Sequence, residues 1–370
     1  MTRHVLALNC GSSSLKYAFF EVDDQRMRAL VRDEVPGVGD KVPDHAAAVH
    51  AALDDLARLR LPAPDAIGHR IVHGGCDHVK PERIDDALMA SLRTLIPFAP
   101  LHLPAELSAI GAARARFPGS PQVACFDTAF HRTMPEAAQR FALPAHFFDE
   151  GVLRYGFHGL SYEYVVDSVG AQTLGRAVLA HLGNGASMCA VREGRSVDTT
   201  MGFTPAAGLV MGTRAGDIDP GLVTYLLQHG CDGASFDRLV NHEAGLLALS
   251  GTTADMKRLV EARDRDARAA LAIDVFCLHA RKAIGALATT LGGIDSLVFT
   301  GGIGEHAPFV RKEIARGLEH LGVRIDDGEN EANAAVIGSG EGGVAVRVVP
   351  TDEEHQVARH AARLIERAAR

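Results

Sequence analysis

AVLAHLGNGASMCAVREGRSVDTTMG, residues 177–202, reads as three short strands joined by two turns. The apolar run 177–182 stops at a Gly-Asn-Gly turn, 183–185, whose residue types tolerate positive φ. A second turn at 193–195 leads into the third strand. The small residues of the first turn leave backbone N–H groups open to an anion such as phosphate. Taken alone, however, this pattern is more typical of an ordinary hairpin.

A second copy of the pattern lies near the N-terminus. The segment NCGSSS, residues 9–14, also follows an apolar strand and leads into two further strands. When the two stretches are laid together, Gly11 and Ser13 align with Gly185 and Ser187. Two such units in one chain predict an internally duplicated architecture. Two small-residue loops that face each other across a cleft would suit a polyphosphate.

Length and composition narrow the class of protein. The 370 residues predict one or two domains, two being favoured. A net charge of −8 without a Lys/Arg block argues against nucleic acid or an anionic membrane as the main partner. Six widely spaced cysteines are typical of reduced thiols in a cytoplasmic protein. No apolar run is long enough to span a membrane, and the N-terminal apolar run is too short for a signal peptide.

The remaining sequence predicts both helices and strands. The long apolar segment 266–291 is predicted to be one buried helix. The strand 296–300 should run into a glycine loop at 301–306 and then into a helix at 307–321. A helix at 44–60 with Asp44 as its N-cap, a helix at 105–117, a strand at 344–349 and a terminal helix at 351–370 complete the prediction.

Charged residues at strand ends are the first candidates for function. Arg70 stands in the apolar strand that starts at Ala66, where a buried Arg–carboxylate pair and a ligand-binding role are about equally plausible. Asp127 directly follows the strand 123–126, where ligands of α/β sheets usually bind; the alternative is that it only caps the next turn. The loop 211–220 (MGTRAGDIDP) holds one Arg and two Asp among small residues, which is typical of a functional loop, with a surface salt-bridge cluster as the alternative.

The segment 302–307 offers a competing interpretation. Gly302-x-Gly304-x-x-Ala307 follows a strand, opens a helix and loosely matches a dinucleotide-binding fingerprint. A dinucleotide enzyme would leave both small-residue loops and both loop arginines unexplained. The sequence contains no Gly-Lys pair of a Walker A motif and no zinc-ligand spacing. The fingerprint is therefore the weaker hypothesis.

Ten motifs resemble acetate kinases in both order and spacing, from residue 4 to about residue 360. They are LALNCGSSSLKY, GHRIVHGG, FAPLHLP, FDTAFH, RYGFHG, HLGNGAS, MGFTP, MGTRAGDIDP, FTGGIGE and PTDEE. The family belongs to the acetate and sugar kinase/Hsc70/actin superfamily. The resemblance therefore implies an α/β fold of two duplicated actin-like ATPase (ribonuclease H-like) domains with a nucleotide cleft between them.

The resemblance also implies catalytic roles. A carboxylate acceptor is already ionised, so the difficulty of the reaction is to bring one anion to another. By resemblance, Arg70 would hold the acetate carboxylate, and Arg214 would bridge the acceptor and the γ-phosphate. His158 would hydrogen-bond the transferring phosphoryl group. Asp127 would orient an arginine and the acceptor; the family assigns it acid/base chemistry, but the low pKa of the acceptor favours orientation.

Binding roles follow from the same resemblance. It implies Mg²⁺, with Mn²⁺ as the alternative, near Asn9 and Glu353, and ATP as co-substrate. The phosphates would be lined by Lys16, His181, Leu182, Gly183, Asn184 and Gly185. Adenosine would be surrounded by Asp255, Met256 and Lys257 and by Gly301, Gly302, Ile303, Gly304, Glu305 and His306. Taken alone, Val72, Leu101, Phe157 and Pro205 are typical core residues; the resemblance implies that they line the acyl pocket.

The expected protein is a reversible acetate kinase that makes acetyl phosphate and ADP. The domains are predicted at 1–153 and at 154–351, with the helix 352–370 packed back on the first. The resemblance implies that the second domain binds the nucleotide and forms a homodimer, for which the helix 266–291 is the candidate interface. A propionate kinase or broad short-chain fatty acid kinase is the alternative, because one methylene changes binding by only about 1–3 kcal/mol. An inactive nucleotide-binding protein is a third possibility, which the intact charged set disfavours.

Overall fold

The chain forms two mixed β-sheets with helices packed on them. The computed structural model describes residues 2–11, 14–23, 26–100, 102–341 and 343–368. The strands in these residues are β1 (Arg3–Cys10), β2 (Ser14–Val22), β3 (Met27–Pro36), β4 (Ala66–Ile71), β5 (Glu82–Arg83), β6 (Gln122–Phe126), β7 (Ala177–Leu182), β8 (Ala186–Arg192), β9 (Arg195–Thr199), β10 (Ser296–Thr300) and β11 (Ala345–Val348).

The helices lie between and after these strands. The α-helices are His45–Arg58, Asp86–Thr94, Leu103–Arg116, Glu136–Gln139, Ala145–Asp149, Gly159–Val169, Ala171–Leu174, Pro220–Gln228, Gly233–Arg238, Gly245–Ser250, Met256–Ala262, Ala267–Leu291, Gly301–His306, Pro308–Ala315, Asp327–Glu331 and Glu353–Ala368. Short 3₁₀-helices lie at Ile96–Phe98, Ala129–Thr133 and Glu319–Leu321, and a short π-helix lies at Leu239–Glu243.

The strand order of the two sheets shows the duplication. The first sheet runs β3-β2-β1-β4-β6-β5, and the second runs β11-β10-β7-β8-β9. In each sheet three consecutive strands form an antiparallel meander, β1-β2-β3 in the first sheet and β7-β8-β9 in the second. The first strand of each meander then pairs in parallel with a later strand, which pairs in parallel with one more: β1 with β4 and β4 with β6, and β7 with β10 and β10 with β11. The short β5 is an added antiparallel edge of the first sheet. The predicted α/β fold with two duplicated actin-like halves is confirmed.

The two loops that revealed the duplication align differently in the structure. Gly11 directly follows β1, and the residue that directly follows β7 is Gly183 rather than Gly185. Ser187 lies inside β8, where it pairs with His181. Ser12 and Ser13 lie outside the described residues. The sequence alignment was therefore wrong by two residues, because it matched residue types, whereas strand pairing sets the register.

The chain divides into two compact units. Unit 1 comprises residues 1–132, 159–164 and 352–370, and unit 2 comprises residues 133–158 and 165–351. The limits of these units differ from those of the predicted domains 1–153 and 154–351, and that domain division stays a prediction.

Unit 1 is a three-layer arrangement around its sheet. The even-numbered apolar residues of β1 pack with the helices His45–Arg58 and Leu103–Arg116, and the odd-numbered ones pack with Glu353–Ala368. Gly68 in β4 makes the second contact possible, since a β-carbon added there would lie 2.5 Å from Cγ1 of Val357. This close approach brings the start of the terminal helix, with Glu353, to the strand that carries Arg70.

Unit 2 contains the long helix, which packs on β7, β8 and β9. Asp266 caps its N-terminus by accepting from the backbone N–H groups of Arg268 and Ala269. The prediction that this helix is buried on most faces was wrong, because Leu271 is 52% exposed and Leu278 is 44% exposed. Its buried positions form one stripe, so the helix lies at the surface of the unit.

The segment after β10 also differs from its prediction. Residues Gly301–His306 are helical rather than a loop, and a second helix covers only Pro308–Ala315 instead of reaching 321. Pro308 has no N–H to donate and disfavours a helical conformation of Ala307, so the first helix ends at His306. Gly317, with φ +88°, turns the chain after the second helix.

Two general features complete the fold. No helix in the described part of the chain is long and apolar enough to cross a membrane. None of the six cysteines is in a disulfide, and three of them (Cys10, Cys125 and Cys189) are buried in the strands of the sheets.

Candidate active site

Arg70 of unit 1 lies at the centre of a network of polar side chains. Its Nε donates to Oδ2 of Asp127 over 3.0 Å, and its Nη1 donates to Oδ1 of Asn9 over 3.2 Å. Its Nε also lies 3.6 Å from Oε2 of Glu353. These partners come from the carboxyl ends of β1 and β6 and from the start of the terminal helix, which meet at one end of the sheet. The ion pair with a carboxylate that the sequence allows is therefore present, and the ligand-binding role of Arg70 stays a prediction.

Burial controls the electrostatics of this network. The side chain of Arg70 is 13% exposed and that of Asp127 is fully buried. Burial lowers the pKa of Arg70, but the carboxylates of Asp127 and Glu353 more than offset this effect, so its pKa is raised and it keeps its charge. Burial raises the pKa of Asp127 to about 6, against the attraction of Arg70. Among the described residues, Oδ1 of Asp127 has no hydrogen-bond partner.

The predicted metal residues Asn9 and Glu353 are neighbours in unit 1. Nδ2 of Asn9 donates to Oε2 of Glu353 over 3.0 Å and to Oε1 of Glu354 over 2.8 Å. No group of three or more His, Cys, Asp or Glu side chains among the described residues is placed to hold a metal ion. Mg²⁺ needs no such cage, because it keeps several waters and binds through one or two protein oxygens plus phosphates. The oxygen-only donor set of Asn9 and Glu353 fits that ion.

His158 and Arg214 are brought together in unit 2. Nδ1 of His158 lies 2.9 Å from Oγ of Ser187, and the imidazole stacks on that of His181 with ring centroids 4.1 Å apart. A β-carbon added to Gly185 would lie 3.5 Å from Nε2 of His158 and 3.6 Å from Nη1 of Arg214. Both side chains therefore reach the same small volume at the Gly-Asn-Gly turn.

The backbone around this volume is tightly held. Nη1 of Arg214 donates to the carbonyl of Pro205 over 3.1 Å. The N–H of Gly212 donates to the carbonyl of Asn184 over 3.0 Å, which ties the loop of Arg214 to the Gly-Asn-Gly turn. His158 has φ +59°, a left-handed conformation that is uncommon for residues other than glycine and clusters at functional sites.

The predicted adenosine residues lie in two places of unit 2. Asp255 caps the helix Met256–Ala262, Met256 is 4% exposed and Lys257 is exposed. A side chain as buried as that of Met256 belongs to the core, so the sequence-based role fits its backbone only. The helix Gly301–His306 lies against the Gly-Asn-Gly turn, since a β-carbon on Gly183 would lie 4.0 Å from the backbone N of Gly302.

Glu305 and His306 differ in their surroundings. Oε1 of Glu305 accepts from the backbone N–H of Gly301 over 2.9 Å and from that of Thr351 over 3.0 Å, so this carboxylate holds the segment together. The side chain of His306 is 77% exposed.

Sequence reasoning missed a residue that supports this helix. Arg311 is fully buried and donates to the carbonyls of Gly304 and Glu305 at 2.9 and 3.0 Å. It also donates to the side-chain oxygens of Asn330 and Asn333. The available signal was an arginine in phase with the buried positions Val310 and Ile314 of an amphipathic helix.

The predicted acyl-pocket residues are divided between the units. Val72 belongs to unit 1, and Phe157 and Pro205 belong to unit 2. Val72 is 3% exposed and Phe157 is 1% exposed, whereas Pro205 is half-buried. Leu101 lies outside the described residues. Lys16 of unit 1 is exposed and pairs with Asn9 across β1 and β2.

Known proteins resemble this chain along its whole length. The model of the acetokinase family matches residues 4–359. The chain is 43% identical to the acetate kinase of Methylocella silvestris over 410 aligned residues that cover all of both chains. The crystal structure of the Porphyromonas gingivalis acetate kinase matches with a TM-score of 0.88 and 36% identity, covering 98% of this chain and 100% of that one. A propionate kinase structure from Francisella tularensis subsp. tularensis SCHU S4 matches with a TM-score of 0.92 and 34% identity, covering 98% and 99%.

These matches decide between a kinase and the dinucleotide enzyme that the glycine fingerprint at 302–307 suggested. A family match over nearly the whole chain, relatives above 40% identity and the duplicated strand order agree with one another. The dinucleotide hypothesis accounts for none of them. The chain belongs to the acetokinase family, whose members are kinases with a carboxyl group as acceptor.

Proposed function

We propose that this chain is an acetate kinase, which transfers the γ-phosphoryl group of ATP to acetate reversibly, giving acetyl phosphate and ADP by direct in-line transfer. The observation that carries the proposal is the convergence of His158 and Arg214 on the Gly-Asn-Gly turn of unit 2. Hydrogen-bond donors and a permanent cation fixed at one point are what a phosphoryl group requires as its charge spreads in the transition state.

On the acceptor side, Arg70 is the proposed partner of the acetate carboxylate. Asp127 and Asn9 fix the guanidinium, and its charge persists at every working pH. The proposed role of Asp127 is to orient Arg70 and the acceptor, because a carboxylate acceptor has no proton to lose. Val72, Leu101, Phe157 and Pro205 are the proposed apolar lining for the acyl group.

On the phosphate side, Arg214 and His158 are the proposed donors. When the hydroxyl of Ser187 donates to Nδ1, the neutral imidazole of His158 carries its proton on Nε2 and donates it toward the turn. Lys16 and residues 181–185 are the proposed phosphate lining. Asp255, the backbone of 256–257 and residues 301–306 are the proposed surroundings of adenosine.

Mg²⁺ is the proposed cofactor, and Asn9 and Glu353 are the residues that would hold it. When bound, it supplies charge neutralisation to the phosphate oxygens. The network of unit 1 holds more carboxylates than arginines, and Oδ1 of Asp127 has no hydrogen-bond partner among the described residues. Both observations support a cation there.

The test is a substrate panel. Purified protein with ATP is assayed for acyl phosphate, trapped as the hydroxamate, with acetate, propionate and butyrate, each with Mg²⁺ and with excess EDTA. We expect the highest kcat/KM with acetate and no turnover in EDTA. A higher value with propionate would support the alternative that the propionate kinase structure suggests. ATP binding without turnover of any acid would show an inactive nucleotide-binding protein.

Gly212 gives a prediction about the phosphate lining. A β-carbon there would lie 2.1 Å from Oδ1 of Asn184, so Gly212→Ala must move the Asn184 side chain of the Gly-Asn-Gly turn. We expect the KM for ATP to rise at least tenfold, measured at saturating acetate. Gly233→Ala is the matched control, since a β-carbon at Gly233 has nothing within 4 Å. An unchanged KM in Gly212→Ala would remove the turn from the nucleotide site.

We also propose that the chain forms a homodimer and acts in the cytoplasm. The six cysteines, none of which is in a disulfide, suit a reducing compartment. Leu271 and Leu278 stand seven residues apart on the long helix, so they share one face and leave it apolar and exposed.

The dimer is tested by the mass in solution. We expect twice the chain mass by light scattering for the wild type and for Leu59→Glu, whose residue is exposed in unit 1. The variant Leu271→Glu/Leu278→Glu should be a folded monomer, because two charges cannot be buried unpaired at an interface. A double variant that keeps the dimeric mass would place the interface elsewhere.

A further inference from the structure

The carboxyl group of Glu106 is buried behind the end of the strand that carries Arg70. Glu106 lies in the first turn of the helix Leu103–Arg116 and is 2% exposed. Both of its carboxyl oxygens lie 3.2 Å from the backbone N–H of Val72, which donates to them. Val72 follows β4 directly and stands two residues after Arg70. None of the roles discussed above uses this group.

The groups that face Glu106 come from three strands. Arg70 of β4, Asp127 after β6 and Cys10 of β1 are close enough to interact with it electrostatically. The helices His45–Arg58 and Asp86–Thr94 also pack on its helix, and their buried positions are apolar. Because little solvent surrounds Glu106, a charge on it is weakly screened and acts mainly on Arg70.

We propose that Glu106 is a positioning residue for acceptor binding, which fixes the end of β4 at Val72 and sets the charge beside Arg70. The inference rests on the proposed function, since it assigns the acceptor to Arg70. Its physical basis is that Arg70 has to attract a carboxylate while it is already surrounded by the carboxyl groups of unit 1. Each further negative charge in that network weakens the attraction for acetate.

The direction of the effect follows from the protonation of Glu106. Burial raises its pKa to about 8, while Arg70 and the N–H of Val72 hold it down. Below that pH the side chain is neutral, and Arg70 keeps more of its attraction for an anion. Above it, the ionised carboxylate competes with acetate, which is itself ionised throughout because ordinary carboxyl groups titrate near pH 4. The KM for acetate should therefore rise as the pH passes through about 8.

The experiment compares the wild type with Glu106→Gln between pH 6.5 and 9.5 at saturating ATP and Mg²⁺. We expect the wild-type KM for acetate to rise at least fivefold over this range. Glu106→Gln should keep its low value throughout, with kcat within about threefold of the wild type, because the amide oxygen still accepts from Val72. Asp86→Asn is the control. The carboxyl group of Asp86 is 99% exposed and pairs with Arg114, which stands on the same helix as Glu106. It should retain the wild-type pH dependence.

A second measurement requires neither turnover nor a variant. In the wild-type protein the amide proton of Val72, followed by NMR, should shift with pH with a midpoint near 8, because its acceptor changes charge. If no acid is phosphorylated, the proposed function fails, but this titration still tests the protonation of Glu106. The inference is overturned by a pH-independent Val72 amide, by a wild-type KM that is constant with pH, or by a Gln variant that keeps the wild-type rise.

Discussion

Replacing Arg70 by alanine is expected to lower kcat/KM for acetate at least about a thousandfold, which corresponds to about 4 kcal/mol of transition-state stabilisation. The guanidinium balances the carboxylates of Asp127 and Glu353. Without it, an incoming acetate ion meets only negative charge. Arg70→Lys should recover a small part of the activity, because an ammonium keeps the charge but cannot make the forked contact.

Loss of folding must be separated from loss of chemistry in this variant. Asp127 is fully buried, and an unpaired buried carboxylate costs about 3–5 kcal/mol of stability. Circular dichroism melts of Arg70→Ala and of Arg70→Ala/Asp127→Asn measure this cost, which the second variant should largely remove. Arg83→Ala, at an exposed position of β5 in the same sheet, is the matched control for activity. A loss below tenfold in folded Arg70→Ala would contradict the proposed role.

Arg214→Ala is expected to lower kcat at least a hundredfold, with a smaller change in the KM for ATP. Arg214 reaches the volume at Gly185 that the proposal assigns to the transferring phosphoryl group, where charge builds up mainly in the transition state. Steady-state kinetics at saturating acetate measure both constants. Arg195→Ala, at the exposed start of β9, is the control and should behave as the wild type. A large rise in KM with an unchanged kcat would instead make Arg214 a ground-state binding residue.

Much of the fold was predictable because local signals decided it. Alternating apolar residues, glycine turns and Asp44 as an N-cap located strands and helices to within a few residues. The duplication was predictable because a repeated strand–turn–strand pattern leaves a visible trace. The sequence also shows Pro308, which interrupts a helix. Its effect on the fold, however, depends on whether the residues before it are helical, and tertiary packing decides that.

The candidate site was predictable in its residues but not in its contacts. Motif spacing indicated Arg70 and Asp127, yet Glu106 and Arg311 look like ordinary charged residues of amphipathic helices. Their importance comes from burial, which only long-range packing creates. Similarly, the acidic start of the terminal helix had a sufficient local explanation in the helix dipole, and its pairing with Asn9 depends on contacts 344 residues apart.

The central claim is that Arg70 and Arg214 serve the same phosphoryl transfer, and a double-mutant cycle in kcat/KM tests it most directly. Acyl phosphate formation from ATP and acetate is measured for the wild type, Arg70→Ala, Arg214→Ala and the double variant. If both guanidinium groups offset the same repulsion, the double variant should lose far less than the product of the two single losses. Losses that multiply would show that the two arginines act independently and would contradict the account.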